Sequence, residues 1–215
     1  MSPISNDLDV AVSPHSDLPP LTPKATLCAG LLIRVTGSLL QLSGKAIAFP
    51  TGPHPDRKGP LETRLAESLA DLQAALEVFI ETLSIPAQSL IERRIAKLNA
   101  FRRWGLSGLA LLSDPPAVHW HGLGKLIEEA GELIELLSLL CSPACSDNSS
   151  LLPEISQHLL EEIGDVQAAM DYVIEANHLP AAHIQQRRHQ SCCRYEDFVS
   201  TSPLVPSRSM EGITS

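Results

Sequence analysis

The sequence predicts an all-α protein, a helical bundle made of two tandem three-helix repeats, and three observations predict it. Hydrophobic residues make up 44% of the 215 but aromatics only 4%, and Leu, Ala, Ile and Glu recur throughout, which favours packed helices over stacked strands. Apolar residues return at three- and four-residue intervals, the period of an amphipathic helix. The chain also resembles itself at a shift of 94 residues (161 − 67), Glu67 to Ala96 aligning without a gap on Glu161 to Gln190.

Eleven of those 30 aligned positions are identical, among them Glu67 with Glu161, Asp71 with Asp165, Gln73 to Ala75 with Gln167 to Ala169, Pro86 with Pro180, and Arg93 and Arg94 with Arg187 and Arg188. Chance likeness of two Ala/Leu-rich helices would not keep a proline and paired arginines in register. The same shift holds upstream, where Leu32, Ile33, Gly37, Leu39 and Leu42 meet Leu126, Ile127, Gly131, Leu133 and Leu136. One offset therefore spans two helices, a loop and a third helix, the mark of a duplicated unit whose two copies pack apolar faces together.

The elements follow in order. Residues 1–24 are rich in Pro, Ser and Asp without periodicity and predict a disordered tail. Residues 25–112 form the first repeat, with helices over Ala25 to Ser43, Leu61 to Leu83 and Ala87 to Trp104. Residues 113–200 form the second, with helices over Trp120 to Leu140, Leu151 to Asn177 and Ala181 to Phe198, and residues 201–215 form a second disordered tail. The breakers fall between: Pro50, Pro53, Pro55, Gly59 and Pro60, then Pro115 and Pro116, then Pro143.

A formal charge of −9 argues against a surface that coats nucleic acid, because phosphate backbones need clustered Lys and Arg. Met1 to Pro20 is too polar and acidic for a signal peptide, and no apolar run reaches the roughly 18 residues of a membrane span, so a soluble, cytoplasmic protein with no membrane partner is expected. Cys28, Cys141, Cys145, Cys192 and Cys193 form no paired CxxC set and predict reduced thiols, not a zinc site.

The acids carry the chemistry. Lys125 to Glu135 interleaves carboxylates with aliphatics, placing Glu129 and Glu132 three apart and Glu128, Glu132 and Glu135 at steps of four and three, so each set shares a helix face. Glu161, Glu162 and Asp165 repeat the device on the next helix. Stacked carboxylates repel, and two such faces brought together need a compensating cation. Mg²⁺, with Mn²⁺ as a substitute, prefers hard oxygen ligands and keeps water positions open for phosphates. Solvated helix faces are the competing reading, and spacing alone does not separate the two.

These residues resemble a known family, the MazG-like all-α nucleoside triphosphate pyrophosphohydrolases of phage and bacterial type, whose pattern is a Glu-x-x-Glu helix followed after a loop by a Glu-x-x-Asp helix. Glu129 to Glu132 and Glu162 to Asp165 match it within the strings EEAGELIE and LEEIGDVQAAMDYVI, and the first repeat is similar to phage members through GKAIAFPTG and the stretch from LAESLADLQAAL to RRW. The resemblance implies that Glu129, Glu132, Glu162 and Asp165 coordinate Mg²⁺, with Glu128 and Glu161 as additional ligands or water orienters. It implies cleavage of a nucleoside triphosphate between the α- and β-phosphates, releasing pyrophosphate. Glu128 is the expected proton acceptor, with Glu129 as its partner in catalysis.

Under the 94-residue shift, Glu128, Glu129, Glu132 and Glu135 become Arg34, Val35, Ser38 and Gln41, and Ser68 stands where Glu162 stands. One active site per chain is therefore expected. The first repeat keeps the loop Lys45-Ala46-Ile47-Ala48-Phe49, which resembles a nucleotide-contacting segment of phage relatives and offers Lys45 or Phe49 as a substrate contact. Trp120 and His121, next to His119, precede the acidic helix and offer a stacking ring and an imidazole to a base, with helix packing as the alternative. Lys125, Arg187, Arg188 and Arg194 are candidate phosphate contacts, although family members carry Lys and Asn on the last helix where this chain has Arg187 and Ser191. Arg93 and Arg94 are expected to form ion pairs that fix helix packing.

The leading expectation is thus a Mg²⁺-dependent (d)NTP pyrophosphohydrolase that sanitises or adjusts a nucleotide pool, with homodimerisation compatible with its helical surfaces. A catalytically silent helical interaction module is the alternative from another class. A phosphoribosyl-ATP pyrophosphohydrolase-like enzyme shares the metal logic with a different substrate.

Overall fold

A computed structural model describes residues 22–49, 56, 58–110, 120–142 and 152–202, and among these the chain is all-helical, with no strands. Its helices are α1 (Pro23–Ala48), α2 (Leu61–Leu83), α3 (Ala87–Ala110), α4 (Leu123–Leu140), α5 (Leu152–Ala176) and α6 (Ala181–Thr201). The two expected tails lie almost entirely outside the described residues, as does His119.

Helix boundaries differ from the sequence expectation where local chemistry extends or delays a helix. α1 begins at Pro23 because Thr22 caps it, its hydroxyl accepting from the Ala25 N–H at 3.1 Å, and proline's fixed φ suits the first turn. It continues through Lys45 to Ala48, so that stretch is helix and not the loop expected; it stops at Phe49, the residue that Pro50 disfavours from helical geometry. α3 runs beyond Trp104 since Gly105 is a weak breaker that serves packing: a Cβ there would stand 1.7 Å from the Tyr172 hydroxyl. α4 starts at Leu123, not Trp120, because Gly122 adopts φ 80, and the same glycine leaves room for the Tyr172 ring, 2.6 Å from where a Cβ would be. α1 is also long and apolar enough to cross a membrane, with mean hydropathy 1.5 over its best window, contrary to the sequence reading; half of that window is packed inside the protein.

The apolar stripes of the helices meet in one core. Leu32 and Leu39 of α1, Leu65, Leu69, Leu76 and Phe79 of α2, Leu126 and Leu133 of α4 and Ile163 and Val173 of α5 are all fully buried in one contiguous cluster. Each large aliphatic side chain so buried contributes about 1.5–3 kcal/mol. α1 packs on α2 and α4 on α5, as the repeat predicts. The third helices cross over: α3 packs on α5 and α6 packs on α2.

Residues related by the 94-residue shift make the same bonds in opposite directions. Arg93 holds Asp165 through Nε and Nη2 at 2.6 and 2.8 Å, and Arg187 holds Asp71 through the same atoms at 2.8 and 2.9 Å. Arg94 reaches Asp171 at 2.5 and 2.9 Å, and Arg188 reaches the equivalent Glu77 at 3.1 Å. The turns after α2 and α5 also correspond. Ser84 and His178 both take left-handed φ, 55 and 53, and the following N–H of Ile85 and Leu179 bonds back to Ile80 and Ile174 at 3.0 Å.

Candidate functional site

α4 presents its carboxylates at the edge of the core. Glu129 lies between Leu126 and Leu133 on the inward face and is 1% exposed, whereas Glu128, Glu132 and Glu135 lie on the outer faces of the helix. On α5, the Glu-x-x-Asp spacing turns Asp165 inward, 2% exposed, and leaves Glu162 half-buried beside it. Oxygens of Glu129, Glu132 and Glu162 come together, all within 4.8 Å of one another.

The fourth expected ligand takes a different role. Both Asp165 oxygens are engaged by the Arg93 fork, and Lys97 Nζ stands 2.5 Å from Oδ2. Asp165 therefore anchors two cations of α3 beside the glutamate cluster. Lys97 also comes within 3.4 Å of Glu129 Oε1, and Lys125 lies 2.9 Å from the same oxygen and 2.7 Å from Glu128 Oε1. Despite these ion contacts, neither Glu129 oxygen receives a directed hydrogen bond, nor does the buried Oε2 of Glu162.

The electrostatics follow from this crowding. Burial, and then the carboxylates of Glu132, Asp165 and Glu129, push the Glu162 pKa up to about 7, with Lys97 opposing. Burial and then Glu129 and Glu128 also raise Glu132 above the usual carboxylate range. Burial works against the Lys125 ammonium, but the negative charges of Glu128 and Glu129 beside it outweigh it and hold the pKa above that of an ordinary lysine. Buried oxygens without hydrogen bonds, on carboxylates crowded within 4.8 Å of one another, fit a hard divalent cation.

Beside these cations stand three aromatic rings, Phe101 and Trp104 of α3 and Tyr172 of α5. Phe101 is buried 5.9 Å from the ring of Trp104 and 6.2 Å from that of Tyr172, and the Lys97 and Lys125 ammonium groups lie 5.7 and 6.0 Å from the Phe101 centroid. Trp104 is 52% exposed, with Lys125 6.0 Å from its ring.

The other expected contacts have partners of their own. Trp120 is partly buried against the core, and His121 is tied through its backbone to Asn177, its N–H donating to Oδ1 and its carbonyl accepting from Nδ2, both at 2.9 Å. Arg187 and Arg188 are ion-paired to the first-half acids Asp71 and Glu77. Lys45 joins Asp56 at 3.1 Å and lines a separate cavity with Arg187. The sequence reading missed Lys97 and Trp104 and gave Arg93 no role in the site. Lys97 follows Arg93 by one helical turn, which was visible, but its significance depends on α3 crossing to the other half.

Comparison with protein-family models, with curated protein sequences and with solved structures finds no match to this chain.

Proposed function

We propose that the helices are two tandem MazG-like repeats and that the second carries a divalent-metal site hydrolysing a nucleoside triphosphate to its monophosphate and pyrophosphate. The observation that carries this reading is the convergence of Glu129, Glu132 and Glu162, with buried oxygens lacking hydrogen bonds, next to three cations. A solvated acidic face would show none of that burial.

Glu129, Glu132 and Glu162 would hold Mg²⁺, with Asp165 fixing Arg93 and Lys97 beside them. The cation supplies charge neutralisation of the phosphates and activation of water. Arg93 and Lys97 are fixed by Asp165 and Lys125 by Glu128 and Glu129, so the positive groups beside the triphosphate are oriented before it arrives. Trp104 presents its face at the rim, where a base can stack. Glu128, 55% exposed at its side chain and outside the glutamate cluster, accepts the proton of the attacking water.

The test is a panel of NTPs and dNTPs with Mg²⁺, monitored for monophosphate and pyrophosphate, beside Glu132→Ala and Asp165→Ala. Loss of about two orders of magnitude or more in kcat/KM is expected of each variant. Inorganic phosphate as product, or full activity in both variants, refutes the reading.

A further inference from the structure

The 94-residue shift carries the acidic centre onto a specific place in the first half. There the structure has a cavity of about 220 Å³ between α1, α2 and α6, lined by Ser38, Gln41, Ser68, Lys45, Arg64 and Arg187, with Glu67 and Asp71 at its wall. Where the second half carries five glutamates, at 128, 129, 132, 135 and 162, the first carries Arg34, Val35, Ser38, Gln41 and Ser68. Cations have been gained at the same time: Lys45 stands where the second half has Leu139, and Arg64 where it has His158. The acidic crowding is gone, and three cations stand against Glu67 and Asp71 in the lining, with Asp56 beside Lys45 and Arg64.

The cations are held for use. Arg64 grips Asp56 through Nη1 and Nη2, both at 3.1 Å, and Lys45 Nζ bonds the same carboxylate at 3.1 Å. Arg187 grips Asp71 at 2.8 and 2.9 Å, and Ser191 donates to Asp71 at 2.5 Å. These bonds employ two of the five N–H groups of each arginine and one of the three of the lysine, so oriented donors remain for a ligand. Burial works against the Asp71 carboxylate, but Arg187 and Ser191 outweigh it and hold its pKa below the usual range, keeping the anchor charged. At about 220 Å³ the cavity is smaller than the ~300–1,000 Å³ of drug-sized ligand sites, which suits a phosphate chain with any attached sugar and base outside.

We propose that this first-half cavity is a second binding site that takes a polyphosphate anion, either free pyrophosphate or the phosphate chain of a nucleotide, without a metal and without cleaving it. The hydroxyl of Ser68 and the amide of Gln41 stand where the second half has carboxylates and can meet phosphate oxygens directly. The site does not depend on hydrolysis in the other half.

Calorimetric titration of the full chain with sodium pyrophosphate and, separately, with ATP, both in excess EDTA, tests it. Saturable binding is expected for the pyrophosphate arm, the ATP arm or both. Lys45→Ala and Ser68→Glu are each expected to weaken it about tenfold or more, while Glu132→Ala leaves it unchanged. Equal affinity for the two ligands identifies a site that reads phosphate alone; ATP binding tenfold tighter identifies a nucleotide site. Circular dichroism confirms folding, and Lys45→Gln repeats the charge loss with less change of volume. Absence of saturable binding for both ligands, binding undiminished in the first-half variants, or binding lost in Glu132→Ala overturns the proposal.

Discussion

The half-buried Glu162 links stability to pH in a direction opposite to that of an ordinary ion-paired acid. Its pKa lies near 7 in the folded chain against 4.5 for the free side chain. Between those values the folded state holds a proton that the unfolded state has released, so stability falls as pH rises through the window and levels off above about 7. The difference of 2.5 units (7 − 4.5) sets a ceiling of about 3.4 kcal/mol at ~1.36 kcal/mol per unit, and screening at the solvent-facing rim brings the expectation to about 1.5 kcal/mol. The assay is urea denaturation in EDTA at intervals from pH 5 to pH 8, for the wild-type chain and Glu162→Gln. The wild type should lose about 1.5 kcal/mol relative to the variant over that range. Mg²⁺ or Mn²⁺ added at pH 8 should restore stability to the wild type more than to the variant, since a cation can replace the lost proton. Parallel pH curves for the two proteins would refute the crowding of carboxylates around Glu162.

Three further perturbations probe the framework. Arg93→Ala removes the fork from the nearly fully buried Asp165 and should cost about 3–5 kcal/mol, with part of the loss recovered when Asp165→Ala is added, as read from denaturant midpoints. Gly164 faces α3, where an added Cβ would stand 2.7 Å from Arg93 Cγ, so Gly164→Ala should destabilise by about 1–3 kcal/mol and weaken metal-dependent stabilisation; an unchanged melting temperature would contradict so close an approach. Ser84→Gly and His178→Gly relieve left-handed side-chain strain at φ 55 and 53, and each should stabilise by about 0.5–1 kcal/mol, whereas destabilisation by both would count against those turn geometries.

Much of the fold was legible because it rests on periodicity and punctuation. Leu61 to Leu83 was bounded correctly, since Pro60 precedes it and Pro86 follows close after, and three other boundaries moved where a cap or a packed glycine acts: Thr22 at α1, Gly105 in α3, Gly122 before α4. The convergence of Glu129, Glu132 and Glu162 was legible in the same way, because helical spacing fixes which side chains share a face. The partners of those acids were not. A repeat alignment says which residues correspond, not which copy they serve, and the arginines aligned at 93 and 187 each bind the acid of the other half. Arg187 and Arg188 therefore stand with the acids Asp71 and Glu77, Lys45 stands with Asp56, and Lys97 was passed over. The burial of Trp120 was equally hidden, because an aromatic beside a helix start has the same sequence whether it packs or stacks.

The exchange of third helices means that neither half of the chain owns its chemistry. Cutting the polypeptide between α3 and α4 and discarding the first piece would leave the glutamates of α4 and α5 without Arg93, Lys97, Phe101 and Trp104, every one of which belongs to α3. A lesion mapped to the half that lacks the glutamate cluster can thus disturb the half that has it. Substitutions in this protein are better grouped by the helix they face than by the repeat that encodes them.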